Sequence, residues 1–171
     1  MKRIIVLLLC LIPLLFSSVR AQLKGNEYER VPHASGESTV RFESFSFMLP
    51  FGWYIESSPF LEALCNQKTG ERCGDLIASD GARSRFVFWH NYPCSLMEME
   101  QQEGFGIEEN VTMSHDSLDG RVVSIYTTPS GFIIIGVCDL PGNHTFTLSS
   151  LELDKAGQDV LLDIFMTFKM R

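Results

Sequence analysis

Phe45, Phe47 and Leu49 alternate with Ser44, Ser46 and Met48, and Pro50-Phe51-Gly52-Trp53 then breaks the alternation. A period of two with large apolar residues on one side predicts a half-buried strand that ends in a turn. Ser58-Pro59 supplies a cap and a first helical position, and Phe60, Leu61 and Leu64 fall on one stripe of the helix that follows, which stops near Asn66. From Asn66 to Arg85 there are glycines at 70, 74 and 81 and few large apolar residues, so this stretch is expected to be a long irregular excursion. Next, Phe86, Phe88 and Tyr92 lie on one face of a strand and Val87 and Trp89 on the other. Both faces are apolar, which predicts a central strand, ended by Pro93.

Ser95 followed three residues later by Glu98 is a capping box, and Gly104 is a stop, so a short helix is expected over Leu96 to Glu103. Apolar runs over Ile107 to Met113, Arg121 to Thr127, Phe132 to Asp139 and His144 to Leu153 are then separated by Asp119-Gly120, Pro129-Ser130-Gly131 and Pro141-Gly142-Asn143. These are hairpin turn sequences, and they predict an antiparallel meander. From Asp154 the period lengthens: Val160, Ile164 and Phe168 recur every four residues with Leu161 and Phe165 beside them, which marks an amphipathic helix. That helix must bury its apolar face, and the hairpin-built sheet is the available surface. The expected class is α+β, an antiparallel sheet of hairpin strands packed against a C-terminal amphipathic helix, with short additional helices.

The first residues change the compartment. Lys2 and Arg3 precede an apolar run from Ile4 to Phe16, and Val19 and Ala21 stand where a signal peptidase reads small residues. The run is shorter than the roughly 20 residues of a spanning helix, and it predicts a signal peptide over residues 1–21 rather than an anchor. Cys10 follows Leu9 and forms no lipobox. A flexible leader is expected over residues 22–38 and a single domain over 39–171. Cleavage after Ala21 removes the charges of Lys2, Arg3 and Arg20, taking the net charge from -7 to -10. Such a chain repels nucleic acid and anionic lipid and suits a cationic partner. Cleavage also removes Cys10 and leaves Cys65, Cys73, Cys94 and Cys138, an even set in an oxidising, extracytoplasmic compartment. Two disulfides are expected; three pairings are open, with Cys65 to Cys73 and Cys94 to Cys138 preferred.

The sequence Phe45-x-Phe47-x-Leu49-Pro50-x-Gly52-Trp53, the hairpin strands and the closing Val160-Leu161-x-x-Ile164-Phe165-x-x-Phe168-Lys169 together resemble the PsbP-like α+β sandwich superfamily. That superfamily includes photosystem extrinsic subunits, a Ran-binding nuclear factor, bacterial periplasmic proteins and chaperones of secreted toxins. The resemblance covers Val40 to Arg171 in outline and implies partner binding rather than catalysis. No catalytic residue carries over, because its members share a scaffold and not an active site. The four cysteines and the glycine-rich excursion depart from its pattern.

Candidate chemistry is sparse. His90 and Cys94 would lie about 13 Å apart along an extended strand, too far for a nucleophile and its base. His115 and Asp116 are neighbours that point to opposite faces of extended chain. Asp116 and Asp119 lack the alternating acids and distal glutamate of a calcium loop. His33 and His144 have no partner at metal-ligand spacing, so no metal or cofactor is expected. No serine has the setting of a hydrolase elbow, and no glycine-rich loop enters a helix to hold phosphate. Asn110-Val111-Thr112 and Asn143-His144-Thr145 are glycosylation sequons with meaning only in a eukaryotic host.

One stretch stands out by charge. Phe86 to Gly120 contains no Lys or Arg but holds Glu98, Glu100, Glu103, Glu108, Glu109, Asp116 and Asp119. Carboxylates that repel one another steer and orient a basic partner. The leading expectation is therefore an exported, disulfide-stapled, non-enzymatic module, of adaptor or immunity type, that binds a protein through this acidic face. Two alternatives are a secreted hydrolase assembled from His90, His115 and Asp116, and a small-molecule binder in the cleft between sheet and helix.

Overall fold

The computed structural model describes residues 19–23, 26–56, 70–90 and 111–171. Among them are twelve strands and one helix, in the order β1 (Val19–Leu23), β2 (Asn26–Pro32), β3 (Ser38–Arg41), β4 (Phe45–Leu49), β5 (Tyr54–Glu56), β6 (Gly70–Ile77), β7 (Arg83–His90), β8 (Thr112–Leu118), β9 (Arg121–Thr127), β10 (Ile133–Leu140), β11 (His144–Ser150), α1 (Lys155–Met166) and β12 (Lys169–Met170). A five-stranded sheet runs β1-β2-β3-β4-β12 and a seven-stranded sheet runs β5-β6-β7-β11-β10-β9-β8. Each pairing is antiparallel.

The expected α+β class is corrected to a mostly β architecture of two sheets and one helix among the described residues. The two short helices expected over Pro59 to Asn66 and Leu96 to Glu103 lie outside the described residues. Two strands were hidden by their composition. The expected flexible leader holds β2, which pairs with β3 through Arg30↔Val40 and buries Tyr28. Its charges conceal a strand because one of them points inward beside Tyr28, where Arg30 donates from Nη2 to Trp53 O at 2.8 Å and from Nε to Ser38 Oγ at 2.9 Å. Likewise the excursion from Asn66 to Arg85 contains β6 and the start of β7, joined by a turn in which Ala78 N donates to Ala82 O at 2.9 Å. Gly74 is required there by proximity, since a Cβ would stand 2.8 Å from Phe86 Cε1 and 3.1 Å from Ile55 Cγ2. Of the strand expected over Ile107 to Met113, residues 107–110 lie outside the described residues, and β8 runs from Thr112 on to Leu118.

Other expectations agree with the structure. In β4, Phe45, Phe47 and Leu49 are buried while Ser46 and Met48 are half-buried. Val87 and Trp89 cover one face of β7 and Phe86 and Phe88 the other, all four buried, and β7 is an interior strand. The meander β8-β9-β10-β11 turns at Asp119-Gly120 with φ of 51° and 76°, the left-handed pair that a two-residue hairpin needs.

The two sheets face each other across an aromatic core. Phe45 lies 4.5 Å from Phe88 between ring centroids, and Phe47 lies 5.4 Å from Phe86. Phe146 of β11 meets Phe45 at 5.8 Å, Phe47 at 5.9 Å, Phe165 at 5.5 Å and Phe168 at 4.2 Å. Each such pair contributes about 0.5–1.5 kcal/mol beyond the area it buries. The helix α1 buries Leu161, Ile164 and Phe165, with Val160 half-buried, so its apolar stripe faces inward as expected. It touches β4 of one sheet and β10 of the other, so it closes the sandwich rather than lying on one sheet. Asp154 caps it, its carboxylate accepting from Gly157 N at 2.8 Å. Thr167 ends it, donating to Ile164 O at 2.7 Å and accepting from Met48 N at 2.8 Å. A second buried cluster, Cys73, Val87, Trp89, Phe132 and Ile134, occupies the opposite face of the seven-stranded sheet.

Candidate functional site

Among the described residues β8 is an end strand of the seven-stranded sheet. Thr112, Met113, Ser114, His115, Asp116 and Ser117 are all exposed, and only Leu118 is buried. A strand normally hides one face. Here both are open from Thr112 to Ser117, on the outer arm of the hairpin with β9. Met113 at 57% and Val122 at 65% are exposed apolar side chains on this hairpin.

The register settles which backbone groups point outward. In a two-residue hairpin the flanking pair, Leu118↔Arg121, exchanges hydrogen bonds, and so do alternate pairs above it, Asp116↔Val123, Ser114↔Ile125 and Thr112↔Thr127. The N–H and C=O groups of Met113, His115 and Ser117 therefore face away from β9. Among the described residues no strand pairs with them. Asp116 partly blunts this edge, because its Oδ1 accepts from Ser117 N at 2.7 Å. Arg121 across the turn is directed elsewhere, donating from Nε to Asp139 O at 3.3 Å.

Of the seven carboxylates singled out in the sequence, Asp116 lies in β8 and Asp119 in the turn that follows, both exposed. Glu98, Glu100, Glu103, Glu108 and Glu109 lie outside the described residues. His115 and Asp116 share β8, but His90 sits on β7, four strand steps and about 19 Å away. The structure does not bring the three together, which removes the basis of the hydrolase alternative. His90 instead faces His144 across β7 and β11, their rings 5.0 Å apart, and His144 stacks on Phe88 at 4.5 Å with its Nδ1 2.9 Å from Pro141 O. Among the described residues no three His, Cys, Asp or Glu side chains gather as a metal site.

Cys73 and Cys138 stand on the same face of the larger sheet, within its second cluster. The steps Cys73↔Val87, Val87↔Thr147 and Thr147↔Gly136 lead to a position two residues short of Cys138, already about 14 Å from Cys73 at the usual strand spacing. A disulfide needs Cα atoms within about 7 Å, so these two do not bridge one another. Cys65 and Cys94 lie outside the described residues.

A cleft that sequence reasoning missed opens where β7 and β11 part beyond the rung Arg85↔Ser149. Its volume is about 530 Å³, and Asp75, Arg83, Ser84, Arg85, Ser149 and Glu152 line it. Arg83 Nη1 lies 3.2 Å from Glu56 and 3.8 Å from Asp75. Burial pushes the Asp75 carboxyl above its usual range, against the pull of Arg85 and Arg83. The cleft gathers residues from β6, β7, the end of β11 and the segment after it, which no linear spacing signals. Among the described residues no helix is long and apolar enough to cross a membrane.

No protein-family model matches the chain. No curated protein matches it either. It is similar to the solution structure of cyanobacterial PsbP (CyanoP) from Synechocystis sp. PCC 6803, with a TM-score of 0.49 and 8% sequence identity over 91% of this chain and 98% of that one.

Proposed function

We propose that this chain is an exported, non-enzymatic module that binds another protein through the acidic hairpin β8–β9. The observation that carries this reading is β8 itself, six of whose seven residues are exposed while its outer edge bears Asp116 and leads into Asp119. Among the described residues no strand pairs with this edge, and an unpaired edge is one that soluble proteins usually cover or blunt, which favours a partner that covers it. The apolar run from Ile4 to Phe16 supports export to an extracytoplasmic compartment. In that compartment Cys65, Cys73, Cys94 and Cys138 would form two disulfides, and the sheet register disfavours the pairing of Cys73 with Cys138. Cleavage after Ala21 would leave Gln22 and Leu23 of β1, making β2 the edge of the smaller sheet.

The test is affinity capture from the extracytoplasmic fraction of the native host, with the parent chain and with Asp116→Lys/Asp119→Lys. Loss of the captured protein from the charge-reversed chain is expected. Equal capture by both chains removes the acidic hairpin from the account.

A further inference from the structure

We infer that β8 takes up an extended basic segment of a different protein as an eighth strand of the larger sheet. This rests on the reading of the hairpin as a partner site and adds the mode of binding and the chemistry of the partner. Strand addition needs outward main-chain donors and acceptors at alternate residues and no proline among them. Met113, His115 and Ser117 supply that set, and β8, Thr-Met-Ser-His-Asp-Ser-Leu, contains no proline.

A second copy of this chain is the weaker occupant. Two-fold pairing in an antiparallel sheet preserves the faces of both strands, so the longest overlap centres on His115 and sets it against its own copy. Asp116 then stands opposite Ser114 and gains no counter-charge, while two chains of net charge -7 are drawn together. A Lys or Arg on an incoming strand acts differently. It draws the Asp116 carboxylate away from Ser117 N, which releases that N–H for the new ladder. Asp119 at the turn adds attraction at the end of the strand, and Met113 offers an exposed thioether for an apolar residue of the newcomer.

A phage-displayed library of random short peptides, selected on the full chain, tests this. Enriched peptides should be rich in Lys and Arg and poor in proline. Their affinity should fall about tenfold or more for His115→Pro, which removes an outward donor while leaving the bonds to β9 intact. N-methylation of alternate peptide residues should reproduce that loss on the parent chain, a control that does not depend on how the variant folds. Selection of no peptides, of acidic peptides, or of peptides insensitive to both changes overturns the inference, as does concentration-dependent dimerisation that His115→Pro abolishes. A captured native partner that is lost with Asp116→Lys/Asp119→Lys but retained with His115→Pro leaves the partner-binding reading standing and removes strand addition alone.

Discussion

Replacing Gly74, Gly81 and Gly131 by alanine, one at a time, separates steric overlap from backbone strain in this fold. Gly81 has φ of +91° and no atom within 4 Å of an added Cβ, so only the left-handed backbone resists the change. That costs about 1 kcal/mol. Gly74 has no such backbone, but its Cβ would press the Phe86 ring at 2.8 Å and Ile55 at 3.1 Å, and both are held in the core. Overpacking of that kind costs about 1–3 kcal/mol. Gly131 combines the two, with φ of +94° and a Cβ position 2.6 Å from Leu153 O, a main-chain atom that cannot rotate aside. Its own carbonyl accepts from Leu153 N at 3.0 Å, so relief by moving either segment breaks that bond. About 3 kcal/mol or more is expected there. Equilibrium urea unfolding, with the m-value unchanged, should rank Gly131→Ala as most damaging and Gly81→Ala as least. Melting temperatures should fall by roughly 2–4 °C per kcal/mol. A cost at Gly81 equal to that at Gly131, or no cost at Gly74, would refute the packing described between β6, β7 and the entry to α1.

Two further changes probe the cleft and the helix end. Because burial raises the Asp75 carboxyl above the unfolded value of 3.8, the native state holds that proton more tightly, and ionisation of Asp75 takes stability away as pH rises through its folded pKa. Asp75→Asn should therefore stabilise the chain more, relative to the parent, near neutral pH than in acid; unfolding free energies across that range whose difference runs the other way would contradict it. Thr167→Val should cost about 1–3 kcal/mol in chemical denaturation, since Met48 N loses its acceptor inside the structure, and an unchanged midpoint would show that Thr167 does not tie α1 to β4.

What the sequence revealed of the fold follows from where its apolar residues are large. Phe45, Phe47 and Leu49 carry a period of two that any reading detects, and Leu161, Ile164 and Phe165 carry a helical one. The turns at Asp119-Gly120 and Pro141-Gly142-Asn143 were legible because positive φ selects those residues. By contrast β6, Gly-Glu-Arg-Cys-Gly-Asp-Leu-Ile, has a glycine where Phe86 leaves no room for a side chain, so a packing demand from another strand erased the local signal. The second sheet was missed for a related reason. β2 shows a buried Tyr28 amid charges, and β12 has two residues, which is below any period. At the candidate site, Asp116 and Asp119 were visible as charge. The exposure of β8 on both faces was not, since it depends on what the rest of the fold covers.

The pairing of β12 with β4 joins Lys169 to Ser46 and Met170 to Phe45, and Arg171 adds N to Ser44 O at 2.9 Å and Nη1 to Phe42 O at 3.0 Å. Strands laid down early in synthesis thus wait for residues made more than a hundred positions later. Until Phe168 docks, Phe45 and Phe146 lack the ring that covers them. The sandwich therefore closes through contacts of high sequence separation, which form later than the local hairpins and make its closure the slower step of folding.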